Sequence, residues 1–110
     1  MPDAGEIILV EFPGVVATKR RPAVVLSSVE YHKTRPDLIV GLVTSQTGKA
    51  TGPTDHLIVD WQAAGLNAPS AFRAFLATLP KNSIVSTIGR LSTADWQAVQ
   101  GCLSRSMVLN

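Results

Sequence analysis

The sequence predicts a mainly β fold, a small and strongly bent antiparallel barrel with one C-terminal helix. Short aliphatic runs recur at close intervals between breaks rich in Pro, Gly and Ser, the rhythm of an all-β chain. Only the last segment repeats apolar residues at helical spacing. The length of 110 residues, with 45% hydrophobic, supports one core and hence a single domain over residues 1–110.

Residues 5–12 hold the run Ile7-Ile8-Leu9-Val10, too continuous for a one-sided strand and too brief for a helix, so a strand buried on both faces is expected. Pro13-Gly14 breaks it, and a loop ending in Lys19-Arg20-Arg21 follows. Residues 22–28 form the second strand, with Pro22 at its first position, where proline is tolerated. Residues 29–36 read as a loop carrying Tyr31, His32, Lys33 and Arg35. Residues 37–46 make a third strand ending in Thr44-Ser45-Gln46, and the two glycines and proline of residues 47–54 a connection. A fourth strand is expected at residues 56–60, a helical turn and loop at 61–69, a fifth strand at 70–79 and a sixth at 84–88. Ser92 is a suitable N-cap for the final helix, with Asp95 placed to favour its positive end. Trp96, Val99, Leu103 and Met107 then line the face that covers the sheet.

Composition excludes several classes. A chain this apolar is not disordered, and its aliphatic runs fall far short of the roughly 20 residues of a membrane span. Residues 1–6 lack the basic and apolar regions of a secretory signal. The single cysteine, Cys102, cannot form an internal disulfide, so a reducing cytoplasm fits, and cysteine metal sites are excluded. Charged residues are 16% of the chain against roughly 25% in an ordinary domain, which predicts apolar area hidden against a second copy. Two histidines, His32 and His56, are too few for a metal cluster, and no cofactor is expected. His56 reads as structural, His32 as a weak candidate for a phosphate contact, and Cys102 as a small packed residue.

Charge is unevenly spread. From Lys19 to Lys49 there are six cations against two acids, a net of +4, while the rest has four against six, a net of −2. A basic segment in a slightly acidic chain can attract a polyanion. Aromatics are only 5% and read mostly as core, so contact with nucleic acid would rest on phosphate rather than on base stacking. The segment Thr47-Gly48-Lys49-Ala50 is not a phosphate loop, since Ala50 stands where Ser or Thr must hold magnesium.

Four stretches in order, Gly5-Glu6-Ile7-Ile8-Leu9-Val10-Glu11-Phe12-Pro13, Arg21-Pro22-Ala23-Val24-Val25-Leu26-Ser27, Val43-Thr44-Ser45 and Ile88-Gly89-Arg90-Leu91-Ser92, resemble the MazF/PemK toxin family, in its short-loop PemK-like branch. The resemblance implies an SH3-like barrel that dimerises, a metal-independent endoribonuclease acting on single-stranded RNA, and an antitoxin whose peptide tail occupies the groove of the dimer. It carries over Arg21 and Thr44 as the catalytic pair. Lys19, Arg20, Ser45, Gln46, Lys49 and Arg73 are the expected substrate-binding residues. Two departures stand out. The loop from Gly14 to Arg20 contains no acid or histidine, and Arg73-Ala74-Phe75 lacks the carboxylate of the Arg-x-Asp that many members carry. A non-catalytic module binding RNA or an antitoxin peptide in the same groove is the alternative.

Overall fold

The aliphatic run of the first strand buries side chains on both faces of one antiparallel sheet, Ile7 on one and Ile8 and Val10 on the other. The computed structural model describes residues 2–12 and 19–109, and within them the elements are β1 (Glu6–Phe12), β2 (Lys19–Val25), α1 (Val29–Thr34), β3 (Asp37–Thr44), β4 (Asp55–Leu57), β5 (Ala71–Pro80), β6 (Ile84–Arg90) and α2 (Thr93–Ser106), with single 3-10 turns at Thr47–Lys49 and Lys81–Ser83. The strands pair in the order β4-β5-β3-β2-β1-β6, every neighbouring pair antiparallel. Of the loop from Gly14 to Arg20, expected to be short and free of acid or histidine, residues 14–18 lie outside the described residues, and Lys19 and Arg20 belong to β2.

The link between β5 and β6 dictates the curvature. Four interstrand steps separate them, roughly 19 Å in a flat sheet, yet the chain from Pro80 to Ile84 can span only about 14 Å. The sheet therefore curls around Ile8, Val10, Ala23, Val25, Leu38, Val40 and Leu79, all buried. The strong bend expected from the sequence is present, but the barrel is not closed by hydrogen bonds: among the described residues no ladder joins the edge strands β4 and β6. Backbone packing takes its place. A Cβ on Gly65, which has φ +90, would lie 2.6 Å from the Ile88 carbonyl oxygen, and one on Gly89 would collide with the Ala64 carbonyl. The turn after β4 thus lies directly against β6, where only glycines fit.

On the other face of the sheet, Ile7, Val24, Val43, Phe72 and Leu91 pack with Val99 and Cys102 of α2. Trp96 and Leu103 join this cluster as expected, but Met107 does not: it caps the C-terminus of α2 and is exposed. Cys102 is buried, a packed residue as its position predicted.

Several boundaries differ from the sequence expectation. Residues 29–34 form α1, not a loop, because Ser28 accepts a hydrogen bond from the Tyr31 amide and caps the turn; the helix buries no residue, so no apolar pattern announces it. β3 ends at Thr44, two residues early, and β4 spans 55–57 rather than 56–60, because the amides of Val59 and Asp60 are taken by the Asp95 carboxylate. β2 starts at Lys19, three residues before the proline expected to open it. Pro22 is accommodated because it pairs with Leu9 of β1 while the bonds to β3 stop at Ala23 opposite Leu42, so the missing N–H falls where that ladder has ended.

Candidate active site

That early end of the β2–β3 ladder opens the site. Continued two residues beyond Ala23–Leu42, the register sets Arg21 opposite Thr44, with no backbone bonds between them. Period-two alternation puts Arg21, Thr44, Leu42 and Arg73 on one face of the sheet and Arg20, Pro22 and Val43 on the other. Two clefts result, and they meet at the rim between β2 and β3. The larger, of about 610 Å³, includes Lys19, Arg20, Arg21, Thr44, Ser45 and Gln46 in its lining. The smaller, of about 240 Å³, is lined by Arg21, Leu42, Thr44, Gln46, Lys49 and Arg73. All eight site residues expected from the sequence line one cleft or both, and Arg21, Thr44 and Gln46 line both.

The electrostatics are one-sided, since among the described residues no carboxylate lines either cleft. Glu11 faces Arg20 across the β1–β2 ladder, but among the described residues neither Lys19, Arg20, Arg21 nor Lys49 forms an ion pair. Arg73 does, through Nε at 3.4 Å from Asp55 Oδ1 on the neighbouring β4. Bonding at Nε leaves the two terminal nitrogens free to fork onto a second anion. The carboxylate missing from β5 is thus supplied from β4, a partner that sequence reading missed because the two residues are 18 apart. Thr44 Oγ1 accepts the Gln46 amide at 3.1 Å, which orients the hydroxyl and leaves its proton to donate.

Further polar groups were also missed. Asn67 and Ser70 line the larger cleft together with the apolar Leu9, Leu66 and Ile88. The available signal was Gly65, a residue suited to the close approach that carries this turn across β6. His32 lies elsewhere: its ring bonds Ser27 Oγ and lines a separate cleft with Asp3, Val29, Lys33 and Lys81, so it is not a phosphate contact of this site. Lys33 and Arg35 leave the basic segment's cluster in the same way, carried off by α1. His56 is structural, as expected, and bonds Asp95 at 2.7 Å. Burial of Asp95 opposes its ionisation, but the hydrogen bonds from His56, the Asp60 and Val59 amides and Ser92 outweigh that, holding its carboxyl below the usual range. Among the described residues no cluster of His, Cys, Asp and Glu could hold a metal, and no helix is long and apolar enough to cross a membrane.

A bent antiparallel sheet backed by one helix, with a basic cleft at a strand rim that no carboxylate of the described residues lines, defines a small β domain whose cleft has a charge suited to an anion. Residues 3–107 match the family of PemK-like, MazF-like toxins of type II toxin–antitoxin systems, and the chain belongs to that family. No protein of curated function matches it significantly by sequence. Solved structures share the fold. An endoribonuclease in complex with its cognate antitoxin, from a mycobacterial species, superposes with TM-score 0.78 at 16% identity, covering 100% of both chains. The Mycobacterium tuberculosis toxin MazF-mt6 gives 0.77 at 20% identity over 96% of this chain and 98% of its own. MazF from Deinococcus radiodurans gives 0.72 at 24% identity over 96% and 94%.

Proposed function

We propose that the chain is a metal-independent endoribonuclease toxin that cleaves single-stranded RNA by 2′-hydroxyl attack, working as a homodimer restrained by a cognate antitoxin peptide. The observation that carries this reading is the convergence of Arg21, Thr44 and six further polar or cationic residues on two adjoining clefts that, among the described residues, no carboxylate lines. In the reaction the 2′-oxygen forms a bond to phosphorus and the bond to the 5′-oxygen breaks, giving a 2′,3′-cyclic phosphate and a 5′-hydroxyl. One proton leaves the nucleophile and one reaches the leaving oxygen. Arg21 makes a fork of two hydrogen bonds to the phosphate oxygens as charge develops there, and Thr44 donates its hydroxyl proton to the same group. The guanidinium of arginine keeps its proton and cannot act as a base, and among the described residues neither histidine nor carboxylate lines either cleft. The proton transfers therefore fall to Thr44, water and the substrate's own oxygens.

The curl of the sheet, with β6 packed on the turn after β4, supports an SH3-like barrel as the finer description of the fold. Sparse charge and the exposed Leu57 and Val59 support a second copy, and the lone buried Cys102 fits a reducing cytoplasm. The mycobacterial neighbour was solved with its cognate antitoxin, which supports an antitoxin as this chain's partner as well. The missing acid–base group favours a second reading, a non-catalytic module binding RNA or the antitoxin peptide. Incubation with single-stranded RNA in EDTA decides. Cleavage to cyclic phosphate ends that falls by at least about 100-fold in Arg21→Ala upholds the enzyme reading; RNA binding without products upholds the module; equal cleavage by both proteins removes Arg21 from the mechanism.

A further inference from the structure

Phe75 is 63% exposed, contrary to the expectation that the aromatics sit in the core. The irregular pairing of β5 explains it. Leu42 pairs with Arg73 and Gly41 with Leu76, so Ala74 and Phe75 bulge without partners on β3, while β4 ends its own pairing at Asp55 opposite Arg73. A bulge re-aims side chains away from the regular pleat. Here the ring joins Leu42, Thr54, Asp55, Arg73 and Ala74 around a third cleft of about 200 Å³. That cleft shares Leu42 and Arg73 with the smaller basic cleft.

We propose that this third cleft is a nucleobase subsite, in which Phe75 stacks on an unpaired base and Asp55 accepts a hydrogen bond from the base's amino edge. The proposal rests on the single-stranded RNA reading above. The arrangement is that of a nucleotide: Arg73 stands between the two clefts, its terminal nitrogens available to a phosphate while its Nε is held by Asp55. An exposed ring beside a phosphate cleft is the usual platform for a splayed base, because every base has a stackable face. Asp55 supplies the discrimination. Its Oδ1 receives Arg73 Nε at 3.4 Å and its Oδ2 the Gly52 amide at 3.1 Å, and each oxygen has a second lone pair. An ionised carboxylate only accepts, so it favours an exocyclic amino group such as cytosine N4 and disfavours the carbonyl that replaces it in uracil.

The test compares binding of short deoxycytidine and deoxyuridine single strands, which lack the 2′-nucleophile and differ only along the edge at C4 and N3: cytosine offers the C4 amino group, uracil an N3–H between two carbonyls. The parent is expected to hold the cytosine strand about fivefold or more tighter. Phe75→Ala, at an exposed position that leaves folding intact, should weaken both strands by about tenfold, and Phe75→Trp should restore them. Asp55→Asn should erase the preference. Equal binding of the two strands by the parent, an unchanged preference in Asp55→Asn, or parental affinity in Phe75→Ala each overturns the subsite. So does conversion of a dimer to a monomer by Phe75→Ala, which would make the ring a contact between copies. Cleavage of RNA by the parent, measured alongside, separates the two readings. A parent that cleaves while these preferences fail to appear loses only the subsite, and one that neither binds nor cleaves loses both.

Discussion

At the scale of single residues, Thr44 is decided by one hydrogen bond. Its Oγ1 accepts the Gln46 amide at 3.1 Å, so one lone pair is occupied and the hydroxyl proton is left to donate. A lone hydroxyl at a strand end is ordinarily a turn cap; what singles this one out for the proposed chemistry is Arg21 opposite it, beyond the last paired residues of the β2–β3 ladder. Thr44→Val keeps the β-branched shape and the strand propensity while deleting the donor. It should lower the cleavage rate of a single-stranded RNA by about 100-fold with thermal stability maintained, whereas Thr44→Ser should keep most of the activity. Initial rates on a fluorescent RNA measure both, and a parental rate in Thr44→Val would remove the hydroxyl from the mechanism. In the sequence, Arg21 and Thr44 were legible only through the resemblance; Arg before Pro and Thr at a strand end are individually commonplace. Phe75 was misread because the bulge that turns it outward leaves no mark on the alternation of apolar residues.

At the scale of elements, the N-terminus of α2 holds β4 in place. Ser92 Oγ accepts the Asp95 amide at 3.2 Å, and the Asp95 carboxylate, 1% exposed, accepts from Val59 at 3.0 Å, Asp60 at 2.9 Å and His56 at 2.7 Å. Asp95→Ala would strip a partner from every one of these groups, and a cost of about 3 kcal/mol is expected, read as a fall in the urea midpoint. The pH dependence has a definite sign. The folded carboxyl lies below its ordinary value, so its stabilisation is complete above about pH 4 and is lost as pH falls through the lower folded value. Asp37 adds in the same direction: the Tyr31 hydroxyl is its main stabiliser and Arg35 assists, together outweighing its desolvation. The parent's urea midpoint should drop as pH falls below about 4, and less steeply in Asp95→Asn; equal slopes would show that Asp95 is not the linked group. Half of this device could be read beforehand. Ser92 and Asp95 are three apart and visible as a cap, but Asp95 and His56 are 39 apart, and only the fold brings them together. A separation of 18 residues likewise hid Asp55 from Arg73, and α1, six residues long with none buried, gives no periodicity to detect.

At the scale of the whole molecule, net charge of +2 conceals a strong local asymmetry. Folding sorts the basic segment into two groups. Lys33 and Arg35 go to α1, where Arg35 pairs with Asp37 at 3.2 Å and lies over the Tyr31 ring, while Lys19, Arg20, Arg21 and Lys49 are joined at the clefts by Arg73 from β5. The cluster placed to meet the proposed polyanion is therefore not the contiguous one in the sequence, and its size sets a measurable quantity. Binding of a single strand releases counterions in proportion to the phosphates neutralised, with a slope of about −0.7 in log K against log salt for each contact. Five cations at the clefts give an expected slope of roughly −3 to −4 for a 2′-deoxy strand. Lys49→Gln should reduce its magnitude by about 0.7, whereas Arg35→Gln, at the C-cap of α1 and away from both clefts, should leave it unchanged. Fluorescence anisotropy titrations at several salt concentrations measure all three. A slope near zero would mean that the clefts do not neutralise phosphate, and a change in Arg35→Gln equal to that in Lys49→Gln would mean that the protein binds nucleic acid by diffuse charge.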